Sequence, residues 1–151
     1  MKKIGVVLIL MTLLSGCSNA KKDGGCPFAG ENAMSAEFQK NRGDRVHFDL
    51  NKDHIRDEGA AILDAQACWF KSHPKAKAVI AGHCDDRGTT EYNLALGERR
   101  ANTVKKYLES KGVESERLST VSYGKDKPIV PGTSAAARAQ NRVGITEPRC
   151  N

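Results

Sequence analysis

The sequence predicts an α/β (α+β) fold, a two-layer sandwich with two helices on one face of a small mixed sheet. Short stretches with alternating apolar residues indicate strands, and two longer stretches with apolar residues every three or four positions indicate helices. Glycine and proline lie between these stretches. The predicted order is β-α-β-α-β-β, and right-handed crossovers place both helices on the same face of the sheet.

The first half of the folded region supplies two strands and a helix. Apolar and polar residues alternate in VHFDL, residues 46–50, as in a half-buried strand. Apolar residues then recur at helical spacing from Ile55 to Phe70, and the helix must stop before Pro74. The mostly apolar stretch KAKAVIAG, residues 75–82, predicts a central strand.

The second half predicts one helix and two further strands. The helix covers residues 91–111 and is terminated by Gly112. RLSTVSYG, residues 117–124, predicts the third strand. A connection containing glycine and proline leads to a short last strand near residues 142–146.

Residues 1–16 have the pattern of a lipoprotein signal peptide. Two lysines precede an apolar run over residues 4–14, which is too short to span a bilayer. The run ends in LSGC, which resembles a bacterial lipobox with Cys17 as the lipidated residue. An ordinary secretory signal with an incidental cysteine is the alternative. Ser18 follows the cysteine where aspartate would retain a lipoprotein in the inner membrane, so we expect the outer membrane.

The exported chain is predicted to consist of a lipidated tether, residues 17–43, and one folded domain, residues 44–151. Removal of the two signal-peptide lysines lowers the formal net charge from +6 to +4. The basic residues are dispersed and not interleaved with aromatic residues, so nucleic acid is not an expected partner.

Four cysteines remain beyond Cys17, namely Cys26, Cys68, Cys84 and Cys150. Cysteines in an exported chain indicate disulfides, and four of them allow three pairings. We favour Cys26 with Cys150 and Cys68 with Cys84. No CxxC motif is present, which argues against a zinc or thioredoxin-like site.

The densest group of functional residue types is GHCDDRGTTEYNLALGERRAN, residues 82–102. A metal site is not expected, because consecutive strand residues such as His83, Cys84 and Asp85 point to opposite faces. Catalysis is not expected either, since carboxylates that divide acid and base roles come from different segments, whereas Asp85 and Asp86 are adjacent. The sequence contains no nucleophile elbow. We therefore predict no enzyme, no metal and no cofactor.

The remaining interpretation of this stretch is a binding site. Arg100 lies on the same helical stripe as Leu96 and Val104, so its guanidinium is held at a buried face and needs an anionic partner. Asp85 lies near the start of that helix, and Gly88 permits the tight turn between them. Either Asp85 and Arg100 form a structural salt bridge, or they form a slot for a ligand with both an ammonium and a carboxylate.

The stretch from Gly82 to Leu108 closely resembles the OmpA-like peptidoglycan-binding domain, especially in its lipid-anchored branch. FDLNKDHIRDE, LSTVSYGKDKP and QNR agree with the same family, so the resemblance covers about residues 44–146. It implies the fold of the OmpA C-terminal domain. It also implies a ligand, the meso-diaminopimelate of the peptidoglycan stem peptide, whose side chain ends in an ammonium and a carboxylate.

The family's motif positions imply the binding residues of this chain. They are Asp85, Arg87, Asn93, Leu96 and Arg100, with Leu50 and Asn51 from the segment after the first strand. Asn51 stands where the family usually has aspartate, which leaves the contact intact only if it is made by backbone. The last strand lacks the family's second arginine after Asn-Arg, and we expect it to be short and held near Cys150.

The expected protein is a lipid-anchored binder at the periplasmic face of the outer membrane, which tethers that membrane to peptidoglycan. The resemblance also implies a second partner, the propeller protein of the Tol system. Two rival functions stay open at this point. One is a hydrolase that processes the cell wall, and the other is a purely structural lipoprotein in which Asp85 and Arg100 satisfy each other.

Overall fold

The computed structural model describes residues 31–150, and within the first helix it describes the side chains of residues 33–40. The helices and strands are α1 Glu31–Arg42, β1 Arg45–His47, α2 Asp57–Ser72, β2 Ala76–His83, α3 Thr90–Ser110, β3 Leu118–Gly124, α4 Ala135–Asn141 and β4 Val143–Cys150. A 3₁₀ turn, Ser115–Arg117, precedes β3. Within residues 31–150, none of the helices combines the length and the apolar character needed to cross a membrane.

The four strands form one mixed sheet in the order β1-β4-β2-β3. β2 and β3 are parallel, while β4 lies between β1 and β2 and is antiparallel to both. The core lies between the helices and one face of this sheet, where Ala76, Ala78 and Ile80 of β2 share a cluster with apolar residues of α2 and α3. The predicted α/β sandwich with a small mixed sheet is therefore confirmed.

Two glycines set how closely α3 approaches the sheet. A Cβ atom on Gly82 of β2 would collide with the backbone carbonyl of Gly97, and a Cβ atom on Gly97 would collide with Ser122 of β3. The backbones of α3 and β2 therefore touch directly at this point. This contact fixes the first half of α3 above the end of β2. The charged loop, residues 84–89, begins at this end of the strand.

Residues 31–42, which the sequence analysis placed in a tether, form the helix α1. Met34 and Phe38 are fully buried in the same core as α2 and the sheet. The Phe38 ring lies edge-on to Trp69, with centroids 4.9 Å apart, and Glu37 accepts a 2.7 Å hydrogen bond from the Trp69 indole N–H. The prediction missed this helix because only two apolar residues, spaced by four, mark its buried face.

The last strand is eight residues long and runs to Cys150, so the prediction of a shortened strand is wrong. Pro148 does not interrupt it because the backbone of residue 148 faces away from β2. The Pro148 carbonyl accepts a 3.5 Å hydrogen bond from Ser35 of α1. The N–H that proline lacks would point to the same side, so no bond of the β2–β4 ladder is lost.

The structure also adds α4, which the sequence analysis treated as part of a loop. Ser134 caps this helix by accepting a 3.1 Å hydrogen bond from the Ala137 N–H, and alanines fill its first turn. A serine before an alanine run was the sequence signal for this helix.

The favoured disulfide between Cys68 and Cys84 is wrong, because Cys84 is a buried free thiol. Cys26 lies outside the described residues, so its pairing with Cys150 stays a prediction. Cys17 and the signal peptide also lie outside the described residues and stay predictions.

Replacing Phe38 tests whether α1 belongs to the folded core. We expect Phe38→Ala to lower the free energy of unfolding by about 3–5 kcal/mol, because it leaves a cavity against Trp69 and Phe70. Urea unfolding followed by circular dichroism measures this change. Gln39→Ala, at an exposed neighbouring position, is the control and should change stability little; equal effects of the two substitutions would contradict the role of α1.

Candidate functional site

The charged loop follows β2 and ends at the N-terminus of α3. Gly88 has a φ of +90°, which turns the chain back toward the helix. The buried Asn93 side chain donates hydrogen bonds to the carbonyls of Arg87, at 2.7 Å, and Thr89, at 2.9 Å. Thr89 caps α3 by accepting a 3.2 Å hydrogen bond from the Tyr92 N–H. Asn93, a residue in the first turn of α3, thus fixes the path of the loop that precedes the helix.

Asp85 is a buried carboxylate held by two arginines. Its oxygens accept hydrogen bonds from the Arg87 guanidinium at 2.6 and 3.3 Å and from the Arg87 backbone N–H at 3.1 Å. Arg142 donates a further bond of 3.2 Å. Burial favours the neutral acid, but the hydrogen bonds from Arg87 and Arg142 outweigh it and hold the pKa of Asp85 below its ordinary value. Asp85 is therefore ionised at neutral pH.

Arg100 is completely buried, and its partners are backbone carbonyls. Its guanidinium donates to the carbonyl oxygens of Lys52 at 2.9 Å, His83 at 2.8 Å and Asp49 at 3.1 Å. The Phe48 ring lies below the guanidinium, with 5.1 Å between the central carbon and the ring centroid. Burial lowers the pKa of Arg100, and the nearby positive charge of Arg142 lowers it further.

No salt bridge joins Asp85 and Arg100 within residues 31–150, so the alternative of a structural pair between them is wrong. Asp85 takes Arg87 and Arg142 as partners, whereas Arg100 takes carbonyls. The two residues are nevertheless near each other in space. Arg100 Nη1 donates to the His83 carbonyl and lies 3.5 Å from the Cys84 sulfur, and these two residues directly precede Asp85.

Two of the three carbonyls that bind Arg100, those of Asp49 and Lys52, are presented by a tight turn between β1 and α2. The Lys52 N–H donates to the Asp49 carbonyl at 3.1 Å, and Asn51 has a φ of +56°, which is left-handed backbone. Asparagine adopts this conformation more readily than most residues, so it is well suited to the turn. Leu50 is 45 % exposed at the tip of the same turn.

Two arginines near α4, Arg138 and Arg142, complete the site, and neither was among the site residues predicted from the sequence. Arg142 donates a 3.0 Å hydrogen bond to the Phe48 carbonyl in addition to its bond with Asp85. Arg138 forms a two-bond pair with Asp86, at 2.6 and 3.0 Å. The available signal for Arg142 was the QNR motif, residues 140–142, which indicated the family resemblance but was not interpreted as part of the site.

The site carries more positive than negative charge. Three arginines, Arg87, Arg100 and Arg142, surround the single carboxylate of Asp85. Burial raises the pKa of the Cys84 thiol, which is therefore neutral, and burial lowers the pKa of His83. Among the described residues, no three histidine, cysteine, aspartate or glutamate side chains are grouped to hold a metal ion.

The structure places the predicted site residues in three groups. Asp85, Arg87 and Asn93 meet in the charged loop, and Leu50 and Asn51 lie on the turn that Arg100 holds. Leu96 is buried on α3, where it is 3 % exposed. These groups lie at one end of the sheet, at the ends of β1 and β2 and the beginnings of α3 and β4.

Such a fold and such a loop define a small α/β binding domain with a charged site. The sequence matches the OmpA family over residues 47–142. It is 43 % identical to the peptidoglycan-associated lipoprotein of Pasteurella multocida, over 96 % of this chain and 98 % of that protein. It is 42 % identical to the Haemophilus influenzae protein of the same name, over 87 % of this chain and 88 % of that protein.

Two solved structures share the fold. The peptidoglycan-associated lipoprotein of Burkholderia pseudomallei superposes with a TM-score of 0.69 at 40 % identity, covering 70 % of this chain and 90 % of that one. The C-terminal domain of Helicobacter pylori MotB gives a TM-score of 0.66 at 26 % identity, covering 72 % and 85 %. The protein therefore belongs to the OmpA family, which confirms the predicted resemblance. Because this is a family of binding proteins, the prediction that the protein is not an enzyme is also confirmed.

Arg100→Lys tests the role of the buried guanidinium. We expect the free energy of unfolding to fall by about 2 kcal/mol or more, because an ammonium cannot reach carbonyls in three directions as the planar guanidinium does. The matched control is Arg99→Lys, since Arg99 is exposed and pairs only with Asp53 among the described residues. Denaturant titration of both variants is the measurement. Equal stability of the two would contradict the role of the Arg100 guanidinium in holding the three carbonyls.

Asp85→Asn tests the ion pairs in the charged loop. The folded-state pKa of Asp85 is lowered, so its stabilising contribution is present above the unfolded value, about 3.9, and is lost as pH falls through the folded value. We expect Asp85→Asn to lower the free energy of unfolding by about 2 kcal/mol at pH 7 and to lose less stability than the wild type between pH 5 and pH 3. Asp126→Asn is the exposed control, and parallel pH profiles for wild type and Asp85→Asn would overturn the assignment.

Proposed function

We propose that the protein is an outer-membrane lipoprotein that binds the diaminopimelate-containing stem peptide of peptidoglycan without covalent chemistry. The observation that carries this proposal is the buried Asp85 carboxylate among three arginines. One acid can accept a ligand ammonium, and the surplus positive charge can accept a ligand carboxylate. The similar proteins from Pasteurella multocida and Haemophilus influenzae are both named peptidoglycan-associated lipoproteins, which supports peptidoglycan as the polymer that is bound.

Binding requires an exchange of partners at Asp85. The carboxylate is already bound by Arg87 and Arg142, so a ligand ammonium must displace or share one of these bonds. Arg87 is the more exposed of the two, with 40 % of its side chain accessible against 18 % for Arg142. Arg87 can therefore turn from Asp85 to the carboxylate of the incoming ligand.

This exchange explains why the ligand should be a zwitterion. A side chain with only an ammonium, such as lysine, would release Arg87 without giving it a new anionic partner. A diaminopimelate side chain supplies both charges, so one ion pair is replaced by two. Arg100 is 0 % exposed, so it meets the ligand only if the turn from Asp49 to Lys52 moves.

In the cell, the proposal places the protein between two structures. The lipid on Cys17 would hold the chain in the outer membrane, at its periplasmic face, and the folded domain would hold peptidoglycan. By family resemblance, the propeller protein of the Tol system is a second partner.

Co-sedimentation with purified sacculi tests the proposal. We expect the wild-type chain to pellet with diaminopimelate-type sacculi and to bind lysine-type sacculi about tenfold more weakly, because a lost charge-assisted hydrogen bond costs about 1.5–3 kcal/mol. Asp85→Asn and Arg87→Ala should each weaken binding several-fold while remaining folded by circular dichroism.

The control for this experiment is Arg99→Ala, which removes an exposed arginine that pairs with Asp53 outside the charged loop. It should pellet as the wild type does. Equal pelleting of all four proteins, or equal binding to the two kinds of sacculi, would contradict the proposed site. The Arg100 variants are unsuitable for this purpose, because they change the fold that presents the site.

A further inference from the structure

A second polar depression adjoins the Asp85 site. It is a cleft of about 380 Å³ between the end of β1 and α4. Its polar and aromatic lining residues are His47, Phe48, Asp49, Arg56, Gln140 and Arg142. Ligand sites in proteins begin at about 300 Å³, so the cleft is large enough for one amino-acid residue.

Three polar side chains in this cleft have unused hydrogen-bonding capacity. His47, Arg56 and Gln140 make no side-chain hydrogen bond to any residue between 31 and 150. Arg56 has only two ion pairs, with oxygens of Asp49 at 3.6 Å and Glu58 at 3.7 Å, and both distances exceed that of a hydrogen bond. The guanidinium donors of Arg56 are therefore available to a ligand.

Positive charges act on His47 in the wall of the cleft, and Asp49 is the one carboxylate among the lining residues. Burial lowers the pKa of the His47 imidazole, and the charges of Arg45, Arg56 and Arg142 lower it further. Three arginines thus act on the same wall of the cleft. Arg45 is paired with Asp44 at 2.7 Å and Arg142 with Asp85 at 3.2 Å. Arg56 has the loosest pairing of the three, with Asp49 at 3.6 Å. An anion is the favoured occupant of such a site.

The cleft shares two residues with the Asp85 site. The Asp49 carbonyl binds Arg100, while its carboxylate lies near Arg56. Arg142 binds Asp85 and also lines the cleft. The Asp85 site and the cleft are therefore adjacent to each other at Arg142.

We propose that the cleft binds a second carboxylate of the same ligand, with Arg56 and His47 or Gln140 as donors. This inference rests on the proposed function. In the stem peptide, the glutamate before diaminopimelate is linked through its γ-carboxyl group, so its α-carboxylate is free. The γ-link and the diaminopimelate side chain separate that carboxylate from the ammonium held at Asp85, with an extended reach on the order of 10 Å. The cleft therefore distinguishes a glutamate with a free α-carboxylate from one whose α-carboxyl group is an amide.

Calorimetric titration of the full chain, purified in detergent, tests this specificity. The probes are two synthetic stem tripeptides that differ only in the glutamate α-group, a carboxylate in one and an amide in the other. We expect the wild type to bind the acid about three- to tenfold more tightly than the amide, since Arg56 is partly exposed and its ion pair is screened. Arg56→Gln should abolish this preference, and Arg99→Gln should keep it.

Each outcome decides between the two proposals. If the wild type binds both peptides equally, or if Arg56→Gln weakens both by the same factor, the cleft does not read the carboxylate, although the Asp85 site stands. If the wild type binds neither peptide, the proposed function and this inference both fall. If Arg99→Gln also loses the preference, general surface charge is responsible and the cleft is not the site.

Discussion

The burial of Arg100 is the interaction on which the site depends. Its guanidinium joins the turn after β1 to the end of β2 through the carbonyls of Asp49, Lys52 and His83. A buried charge is tolerated only when its donors are satisfied, and the planar fork of arginine can satisfy several acceptors in fixed directions. The Phe48 ring covers the remaining face. The loop positions on both sides of the site are thus set by one side chain of α3.

A second consequence concerns charge. Because Arg100 donates its hydrogen bonds to uncharged carbonyls, its positive charge is not neutralised by a paired carboxylate. Asp85 is left to Arg87 and Arg142, which together exceed its single negative charge. The site is therefore cationic although it contains a buried acid. Had Asp85 and Arg100 paired with each other, as one interpretation of the sequence expected, the net charge of the site would have been the same, but Arg87 and Arg142 would have lacked Asp85 as a partner.

Elements with a strong apolar period were predictable from the sequence, and those with weak signals were not. α2 and α3 have buried residues at helical spacing along most of their length, and β2 is mostly apolar, so all three were found within a few residues. α1 has only Met34 and Phe38 as buried apolar markers, and the length of β4 depends on which way residue 148 faces, which a sequence does not state.

In the site, helical spacing placed Arg100 on the buried stripe but could not tell whether its partner was a carboxylate or a set of carbonyls. Arg142 was missed for a similar reason, since it reaches Asp85 from a part of the chain 57 residues away.

A site whose acid is already paired should combine modest affinity with good discrimination. On the proposed function, a ligand gains only the difference between its own ion pairs and those that it displaces at Asp85. A ligand that supplies only one of the two charges gains little from that exchange, so the discrimination is sharp even where the net affinity is low. Low affinity at one site is tolerable for a lipid-anchored protein, because the anchor keeps many copies close to a polymer with many binding positions. On the proposed function, internal ion pairs and membrane anchoring would therefore be complementary: the pairs would provide selectivity, and the anchor would provide occupancy.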